Sequence, residues 1–309
     1  MQSPIDTRHR HATTEIAAEA PREAAAGSRL SLWAKLVRDR RSLFGLSVLV
    51  LMLIMSLAAP WISPFDPAEQ RLLLRLRGPL VQAEPGLRCW LGTDQVGRDN
   101  LSRIIYGGRI SIFVGVAAVL IGGSVGVLLG LISGYFGGRL DSILMRTADV
   151  QLSFPFILLA ITIIGAFGAG VVKLVIVLAI SGWVVYARTV RGAVLSVKQE
   201  QFVEAAVALG AIDWRIVLRH LLPNVVSPVI VIATTQTATM ILLESALSFL
   251  GMGVPAPTPS WGRMLSDGRE YLSTAWWIAT FPGLAIFVTV LGINLLGDGL
   301  NDAILSRRR

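Results

Sequence analysis

Polar and ionisable side chains at the end of a long apolar segment are the residues of this chain best suited to handle a solute. Gln236, Thr237 and Glu244 lie within or just after the apolar run at residues 225–243. Glu244 and Thr237 are seven residues apart, which puts them on the same face of a helix. Because ionisable groups inside a membrane usually face a helix bundle or a water-filled path, the three residues form a candidate translocation path. A structural hydrogen-bond cluster is the alternative.

A charged segment at residues 199–224 separates two long apolar runs, and its charges require that it lie in water. Its first half predicts a helix from Gln201 to Leu209 that ends at Gly210, since glycine tolerates the left-handed conformation that follows a helix. Asp213 is the predicted N-cap of a second helix. Pro223 is expected to end that helix because proline lacks a backbone N–H. The two short helices would form an elbow, the name used below for residues 199–224.

The first elbow helix carries apolar side chains at helical spacing. They are Phe202, Val203, Ala206 and Leu209. A short helix with such a face can insert into a groove on another protein. We therefore predict that these residues dock on a cytosolic partner.

The elbow also carries a pattern of glutamate, alanine, glycine, histidine and proline. The residues are Glu204, Ala205, Ala206, Gly210, His220, Leu222 and Pro223. Their spacing resembles the EAA loop of ABC importer permeases, which docks on an ATPase subunit. The histidine before Leu-Leu-Pro-Asn is similar to the dipeptide and oligopeptide branch of these importers. The resemblance implies that these seven residues couple the chain to an ATPase, with a fixed structural role for His220 and a titrating switch as its alternative.

A second match lies in the turn-rich segment at residues 91–103, which contains Leu-Gly-Thr-Asp and Gly-Arg-Asp. It resembles the C-type permeases of dipeptide and oligopeptide importers, as does the Gly-Asp-Gly-Leu-Asn-Asp stretch at residues 297–302. Asp99 is the predicted N-cap of the helix that follows. The aspartates and arginines of this segment either contact substrate or simply pair with one another.

The resemblance implies an all-α integral membrane protein with the type I ABC importer permease fold, in which six transmembrane helices carry a cytoplasmic EAA-type coupling elbow. The implied partners are a homologous second permease, two cytosolic ATPase subunits and an external substrate-binding protein. ATP and Mg would be bound by the ATPase subunits, with no cofactor, metal or catalytic residue expected in this chain. The expected cargo is a di- or oligopeptide, moved by alternating access. An ATP-independent secondary transporter or channel is the main alternative, and a non-transporting membrane scaffold is another.

Composition independently indicates a multi-pass integral membrane protein, and the resemblance implies that the membrane is the inner (cytoplasmic) one. Hydrophobic residues make up 53% of the chain and charged residues 16%, and the mean hydropathy is +0.64. Spanning helices need about 20 residues each. Six apolar runs come near that length, at residues 43–62, 110–132, 152–167, 171–187, 225–243 and 276–296.

The basic residues predict that both termini are cytoplasmic. With the N-terminus inside, 18 of the 28 Lys and Arg residues lie on the inner side. The expected organisation is a disordered tail, an interfacial helix with the first span, an external loop, a five-helix core containing the elbow, and a cytoplasmic end. Their bounds are residues 1–28, 29–62, 63–108, 109–298 and 299–309.

The net charge of +8 favours anionic lipid headgroups over nucleic acid, because the basic residues flank apolar spans. Cys89 is the single cysteine, so the chain has no internal disulfide and no multi-cysteine metal site.

Glycines recur every fourth residue in the second run, at Gly122, Gly126, Gly130 and Gly134. Such a face permits close helix approach, either within the chain or between subunits.

Overall fold

The computed structural model describes residue 36 and residues 39–308, and its main elements are helices. The predicted disordered tail, most of the predicted interfacial helix and Arg309 lie outside the described residues. Numbered in chain order, the helices are α1 Arg40–Leu57, α2 Ala59–Ile62, α3 Asn100–Phe136, α4 Gly138–Leu152, α5 Phe156–Phe167, α6 Val171–Val197, α7 Gln201–Ala208, α8 Asp213–Ile216, α9 Leu222–Phe249, α10 Trp261–Gly268 and α11 Trp277–Arg308.

Five helices in the described residues are long and apolar enough to cross a membrane. They are α1, α3, α6, the continuous rod from α8 through α9, and α11. In this part of the chain α4 and α5 form a bent pair that meets at 86°, and the count rises to six only if this pair is one broken span and not a re-entrant loop. The predicted third span at residues 152–167 is therefore not one straight helix. Pro155 explains the break, since a residue before proline is disfavoured in helical conformation.

The second half of the elbow differs from the sequence prediction. The sequence predicts that Pro223 ends a helix, but this proline lies in the first turn of α9. A π-helical turn at Val217–Leu221 joins α8 to α9, and the amide of Leu222 donates to the carbonyl of Val217 across it. A π turn widens the helix locally and accommodates the proline. The elbow is thus one short helix followed by the start of a rod of 37 residues.

The connection between α1 and α3 contains a small antiparallel hairpin that the all-α prediction does not include. Strand β1, Val81–Glu84, pairs with β2, Leu87–Cys89, and Val81 lies opposite Cys89. Beyond it, α3 begins at Asn100, where the carboxylate of Asp99 accepts from the amide of Ser102. The predicted N-cap is confirmed. We call this end of the bundle the hairpin side and the opposite end, which carries residues 199–224, the elbow side.

The glycine face of α3 packs against α6 within the same chain. A methyl group at Gly122 would come within 2.6 Å of the Ala179 carbonyl oxygen, and one at Gly130 within 2.6 Å of the Ala187 carbonyl oxygen. These glycines therefore permit the close approach of α3 and α6. Of the two roles predicted for them, packing within the chain and packing between subunits, the structure shows the first.

Candidate functional site

The first elbow helix ends as its sequence predicts. Helix α7 stops at Ala208, and Gly210 follows with a φ of +75°. The amide of Gly210 donates to the Val207 carbonyl at 2.9 Å, and the amide of Ala211 donates to the Ala206 carbonyl at 3.1 Å. These bonds satisfy carbonyls that a helix end otherwise leaves open. The left-handed glycine therefore fixes the direction in which the chain leaves α7.

Val203 anchors the elbow to the bundle, which corrects its assignment to the docking face. Its side chain is buried and belongs to a cluster with residues of α3, α6, α8 and the π turn. The large apolar side chains that are exposed on the elbow form a different set, here named the elbow patch. Its members are Phe202, Val207, Leu209, Ile212, Trp214 and Leu218.

The residues of the EAA-like pattern lie on both helical parts of the elbow and are accessible to different degrees. The exposed ones are Glu204, Ala205, Gly210 and Pro223. The half-buried ones are Ala206, His220 and Leu222. None of the seven is fully buried, so the pattern as a whole lies at the surface of this chain.

The fold brings the two halves of this pattern together. His220 lies in the π turn, 16 positions after Glu204 in the chain. Its imidazole lies 6.2 Å from the ring of Phe202 on α7, measured between centroids. The π turn and α7 therefore belong to one compact surface.

Asp213 ties the elbow to the end of α3 and does not cap α8. Its carboxylate accepts from the Tyr135 hydroxyl at 2.6 Å, and α8 has no side-chain cap. The ammonium of Lys198 donates to the Tyr135 carbonyl at 2.8 Å. Tyr135 and Asp213 are 78 residues apart, so no local pattern could have predicted the contact. A movement of the elbow is therefore linked directly to α3.

Glu244 is enclosed by hydroxyl groups. Its carboxylate is fully buried and accepts from Ser248 at 2.7 Å and from Ser245 at 3.3 Å. The hydroxyls of Ser111 on α3 and Ser260 before α10 also face it. This arrangement is that of a structural cluster which joins three segments of the chain.

The other two residues of the candidate path are not hydrogen-bond partners of Glu244. Gln236 is buried, and the hydroxyl of Thr237 donates to the Ala233 carbonyl of its own helix at 2.7 Å. Such a bond satisfies a hydroxyl locally. No hydrogen bond among the described residues joins Gln236 or Thr237 to Glu244, and the role of the three residues in translocation stays a prediction.

The aspartates and arginines of residues 91–103 pair with one another on the hairpin side. Arg98 donates to the Asp94 carboxylate at 2.6 Å, and Arg103 contacts the same carboxylate. Arg103 also donates to Asp267 of α10 at 3.1 Å. Asp94 and Arg103 are almost completely buried. The network fastens the hairpin side of α3 to α10, in agreement with the mutual-pairing alternative.

Within residues 39–304, no group of three or more His, Cys, Asp or Glu side chains is placed to hold a metal ion. The arrangement that remains is a membrane bundle with a rigidly anchored elbow and an exposed apolar patch on it.

Two family models match this chain. Residues 126–309 match the model described as binding-protein-dependent transport system inner membrane component. Residues 30–79 match the N-terminal TM domain of oligopeptide transport permease C.

Curated relatives match over most of their length. The di/tripeptide transport system permease protein DppC of Pseudomonas aeruginosa is 40% identical over 272 residues, which cover 88% of this chain and 90% of the relative. The glutathione transport system permease protein GsiD of Escherichia coli O6:K15:H31 is 42% identical over 272 residues, 88% of each chain.

A solved structure has a similar fold. A chain of the MetNI methionine ABC transporter, in inward-facing conformations, aligns with a TM-score of 0.54 and 19% identity. The alignment covers 66% of this chain and 96% of that chain.

Proposed function

Since this chain belongs to the family of binding-protein-dependent transport system inner membrane components, and is thus a permease subunit of an ABC importer, we propose that its cargo is a short peptide. The observation that carries the proposal is the pair of relatives above, whose names specify di- and tripeptides and glutathione. Glutathione is itself a tripeptide. Short peptides are therefore the cargo class that both names share.

The importer is assembled from this chain, a homologous second permease, two cytosolic ATPase subunits and an external substrate-binding protein. ATP and Mg bind to the ATPase subunits, and this chain contributes no residue to ATP hydrolysis. The bundle is embedded in membrane lipid. The family of the chain supports this composition, because its name specifies dependence on a binding protein and an inner membrane component.

The elbow patch is the docking surface for an ATPase subunit. Six large apolar side chains are exposed there on a segment too polar to lie in hydrocarbon. Leu209, which is 88% exposed, is the most accessible of them. Exposed apolar patches outside a membrane mark interaction sites, and an aliphatic or aromatic anchor in a partner's groove supplies much of the binding free energy. Glu204, Ala205 and Ala206 lie on α7, as do Phe202 and Val207 of the patch, and they complete the proposed docking surface.

The transport mechanism is alternating access driven by closure of the two ATPase subunits. Closure moves each elbow as a rigid unit, because Gly210, Val203 and the Tyr135–Asp213 hydrogen bond fix its shape. The continuous helix from α8 into α9 and the contact with α3 pass this movement to the spans. Rigid-body motion of packed helices is a common way to switch a cavity from one side to the other.

This mechanism requires that the elbow and both termini lie in the cytoplasm and the hairpin outside. The excess of basic residues on the elbow side supports that orientation. A cysteine placed at exposed Leu209 should then be shielded from a membrane-impermeant reagent in intact cells, while one at exposed Leu73 should react.

The proposed function is tested by purifying the tagged chain from native membranes with gentle detergent. The copurifying proteins are identified, and ATP hydrolysis is measured with the external binding protein and with di- and tripeptides. We expect a second permease, ATPase subunits and ATP hydrolysis that peptides stimulate. Stimulation by a non-peptide solute alone would refute the peptide cargo.

An ATP-independent secondary transporter is the alternative that the sequence leaves open, and membership of the importer family favours ATP-driven import over it. The same preparation separates the two. Reconstituted chain that takes up solute without ATPase subunits, or uptake that persists in ATP-depleted cells, would support the secondary transporter.

A further inference from the structure

A cavity of about 560 Å³ lies between α4 and α6 on the elbow side. Its size is within the range of roughly 300–1,000 Å³ that is common for small-molecule sites. Five ionisable side chains line it, together with Ser142 and Met145; they are Asp141, Arg146, Asp149, Arg188 and Arg191. The lining carries both signs of charge, with three arginines against two aspartates.

One wall of this cavity is fixed. Arg191 of α6 donates to the Asp141 carboxylate through two bonds of 2.5 and 2.6 Å. The hydroxyl of Ser133, near the end of α3, donates to the same carboxylate at 2.5 Å. Paired bonds between arginine and a carboxylate impose a definite geometry. Asp141 and Arg191 therefore form a rigid frame, and their charges are already satisfied.

The other wall has unused binding capacity. Arg146 makes no ion pair or hydrogen bond with any of the described residues. Asp149 pairs with Arg188 through Oδ1 alone, and its side chain is 65% exposed. Arg146 and Asp149 are three residues apart on α4, a spacing that places them on one face. A free guanidinium thus lies beside a carboxylate with a free oxygen.

The position of the cavity in the bundle is the third observation. Arg188 lies 17 residues after the start of α6, roughly 25 Å along the helix, and so near the elbow-side end of a membrane span. Arg188 directly follows the apolar run at residues 171–187, so the charged lining lies at the boundary between the span and the aqueous elbow side, where ionisable groups face water or a polar ligand. The α4–α5 bend begins just beyond Asp149.

We propose that this cavity is a transit site for a zwitterionic peptide at the elbow-side mouth of the transporter. Arg146, assisted by Arg188, binds the peptide carboxylate, and the free oxygen of Asp149 binds the α-ammonium group. The excess of one positive charge in the lining favours ligands that carry an additional carboxylate. The inference rests on the proposed peptide-import function and names residues for the last step of it.

The test uses the assembled importer in nanodiscs, without ATP and without the external binding protein, so that selection by that protein plays no part. The probe is the tripeptide Ala-photoleucine-Ala, cross-linked by light and mapped by mass spectrometry. We expect cross-links within residues 141–149. Arg146→Gln should lower their yield about tenfold, as expected for loss of a charge-assisted contact. Asp149→Asn should lower it for peptides with a free α-amino group but not for N-acetylated ones.

Two controls make the result specific to charge. Arg139→Gln removes an exposed arginine of the same helix that does not line the cavity, and the yield should not change. The C-terminally amidated probe should cross-link weakly and equally in the parent and in Arg146→Gln. Arg146→Lys keeps the charge and should retain most of the cross-link yield. If the importer with Arg146→Gln assembles poorly, loss of the cross-link in Arg146→Lys would still count against the proposal.

Peptide uptake with ATP and the binding protein is measured on the same parent and variant importers after reconstitution into liposomes. Normal uptake with cross-links only elsewhere would overturn the transit site and leave the proposed function intact. Failure to import any peptide would overturn the proposed function itself. Displacement of the probe by phosphatidylglycerol but not by unlabelled tripeptide would identify the cavity as a lipid headgroup site and refute the inference.

Discussion

Two buried tyrosines of this chain differ in what their hydroxyl groups contact. The Tyr135 hydroxyl donates to Asp213, whereas the Tyr186 hydroxyl has no partner in the described residues. Tyr135→Phe should therefore destabilise the protein by about 1 kcal/mol, and Tyr186→Phe should be neutral or stabilise by up to about 1 kcal/mol. Thermal unfolding of the purified variants measures both. Equal destabilisation by the two substitutions would contradict this account of the elbow anchor.

Cys89 is predicted to be unreactive in the folded protein. Its thiol is buried, and burial together with nearby Asp99 raises its pKa to about 12. An unfolded cysteine titrates near pKa 8.5, so the folded state holds the proton more tightly. At pH 8 the folded thiolate fraction is roughly one in ten thousand, and the thiolate is the reactive form. Because the folded pKa is raised, the associated stabilisation is present below about pH 8.5 and is lost as the pH rises towards 12.

The prediction is checked by maleimide labelling of native membranes between about pH 7 and pH 9, on either side of the unfolded pKa. Labelling should stay slow across this range and become fast after denaturation in detergent. A variant in which Arg88→Cys is combined with Cys89→Ala moves the thiol to an exposed neighbouring position and should label rapidly without denaturation. Fast labelling of folded Cys89 would show that β2 is open.

At the scale of elements, the α3–α6 contact should be the part of the bundle least tolerant of added volume. A methyl group at Gly130 would come within 2.6 Å of the Ala187 carbonyl oxygen and 2.8 Å of Val190. Gly130→Ala should therefore cost about 1–3 kcal/mol through overpacking. Gly192, also helical, has no atom within 4 Å of such a methyl group, and Gly192→Ala should stabilise by about 0.5–1 kcal/mol. Opposite thermal shifts are the expected result, and a loss of stability in both would argue against the packing.

Elements set by local chemistry could be predicted from sequence, and those set by distant contacts could not. The apolar runs, the glycine that ends α7 and the cap at Asp99 each depend on neighbours within a few residues. Asp213 has a helix-cap spacing, but the Tyr135 hydroxyl reaches it from 78 residues away. The role of Pro223 likewise depends on a π turn, which has no simple sequence signal.

In the candidate site too, features set by local sequence could be predicted and features set by distant contacts could not. The pattern from Glu204 to Pro223 predicts the position of the short helix α7 and of the break after it, because polarity between apolar runs is a local property. Which apolar side chains face outward is not local, since Val203 is covered by residues of α3 and α6. The environment of Glu244 depends on serines of two other segments. The charged cavity between α4 and α6 requires the fold of both helices.

At the scale of the whole molecule, the elbow patch should decide whether the importer holds together. Leu209→Asp places a charge at the most exposed position of the patch. Burial of a leucine side chain contributes about 1.5–3 kcal/mol to binding free energy, so its loss should weaken binding of the ATPase subunits by tenfold or more. Leu73→Asp changes a similarly exposed leucine on the hairpin side and should leave the ATPase subunits bound. Retention of these subunits on tagged chain measures the effect. Full retention with Leu209→Asp would place the docking surface elsewhere.

The π turn between α8 and α9 connects the two helices and also fixes how far α8 is rotated about their common axis relative to α9. Because α8 and α9 form one rod, the direction in which Trp214 points around its axis is set by the number of residues between Trp214 and Glu244. Each residue of an α-helix turns the rod by about 100°. Shortening the π turn by a single residue would keep α9 in place yet rotate α8 through that angle, so that Trp214 and its neighbours in the patch would face away from the proposed partner. The length of Val217–Leu221 therefore fixes the rotation of α8 relative to α9, and the proposed docking of the patch requires that rotation while α9 keeps its place in the bundle.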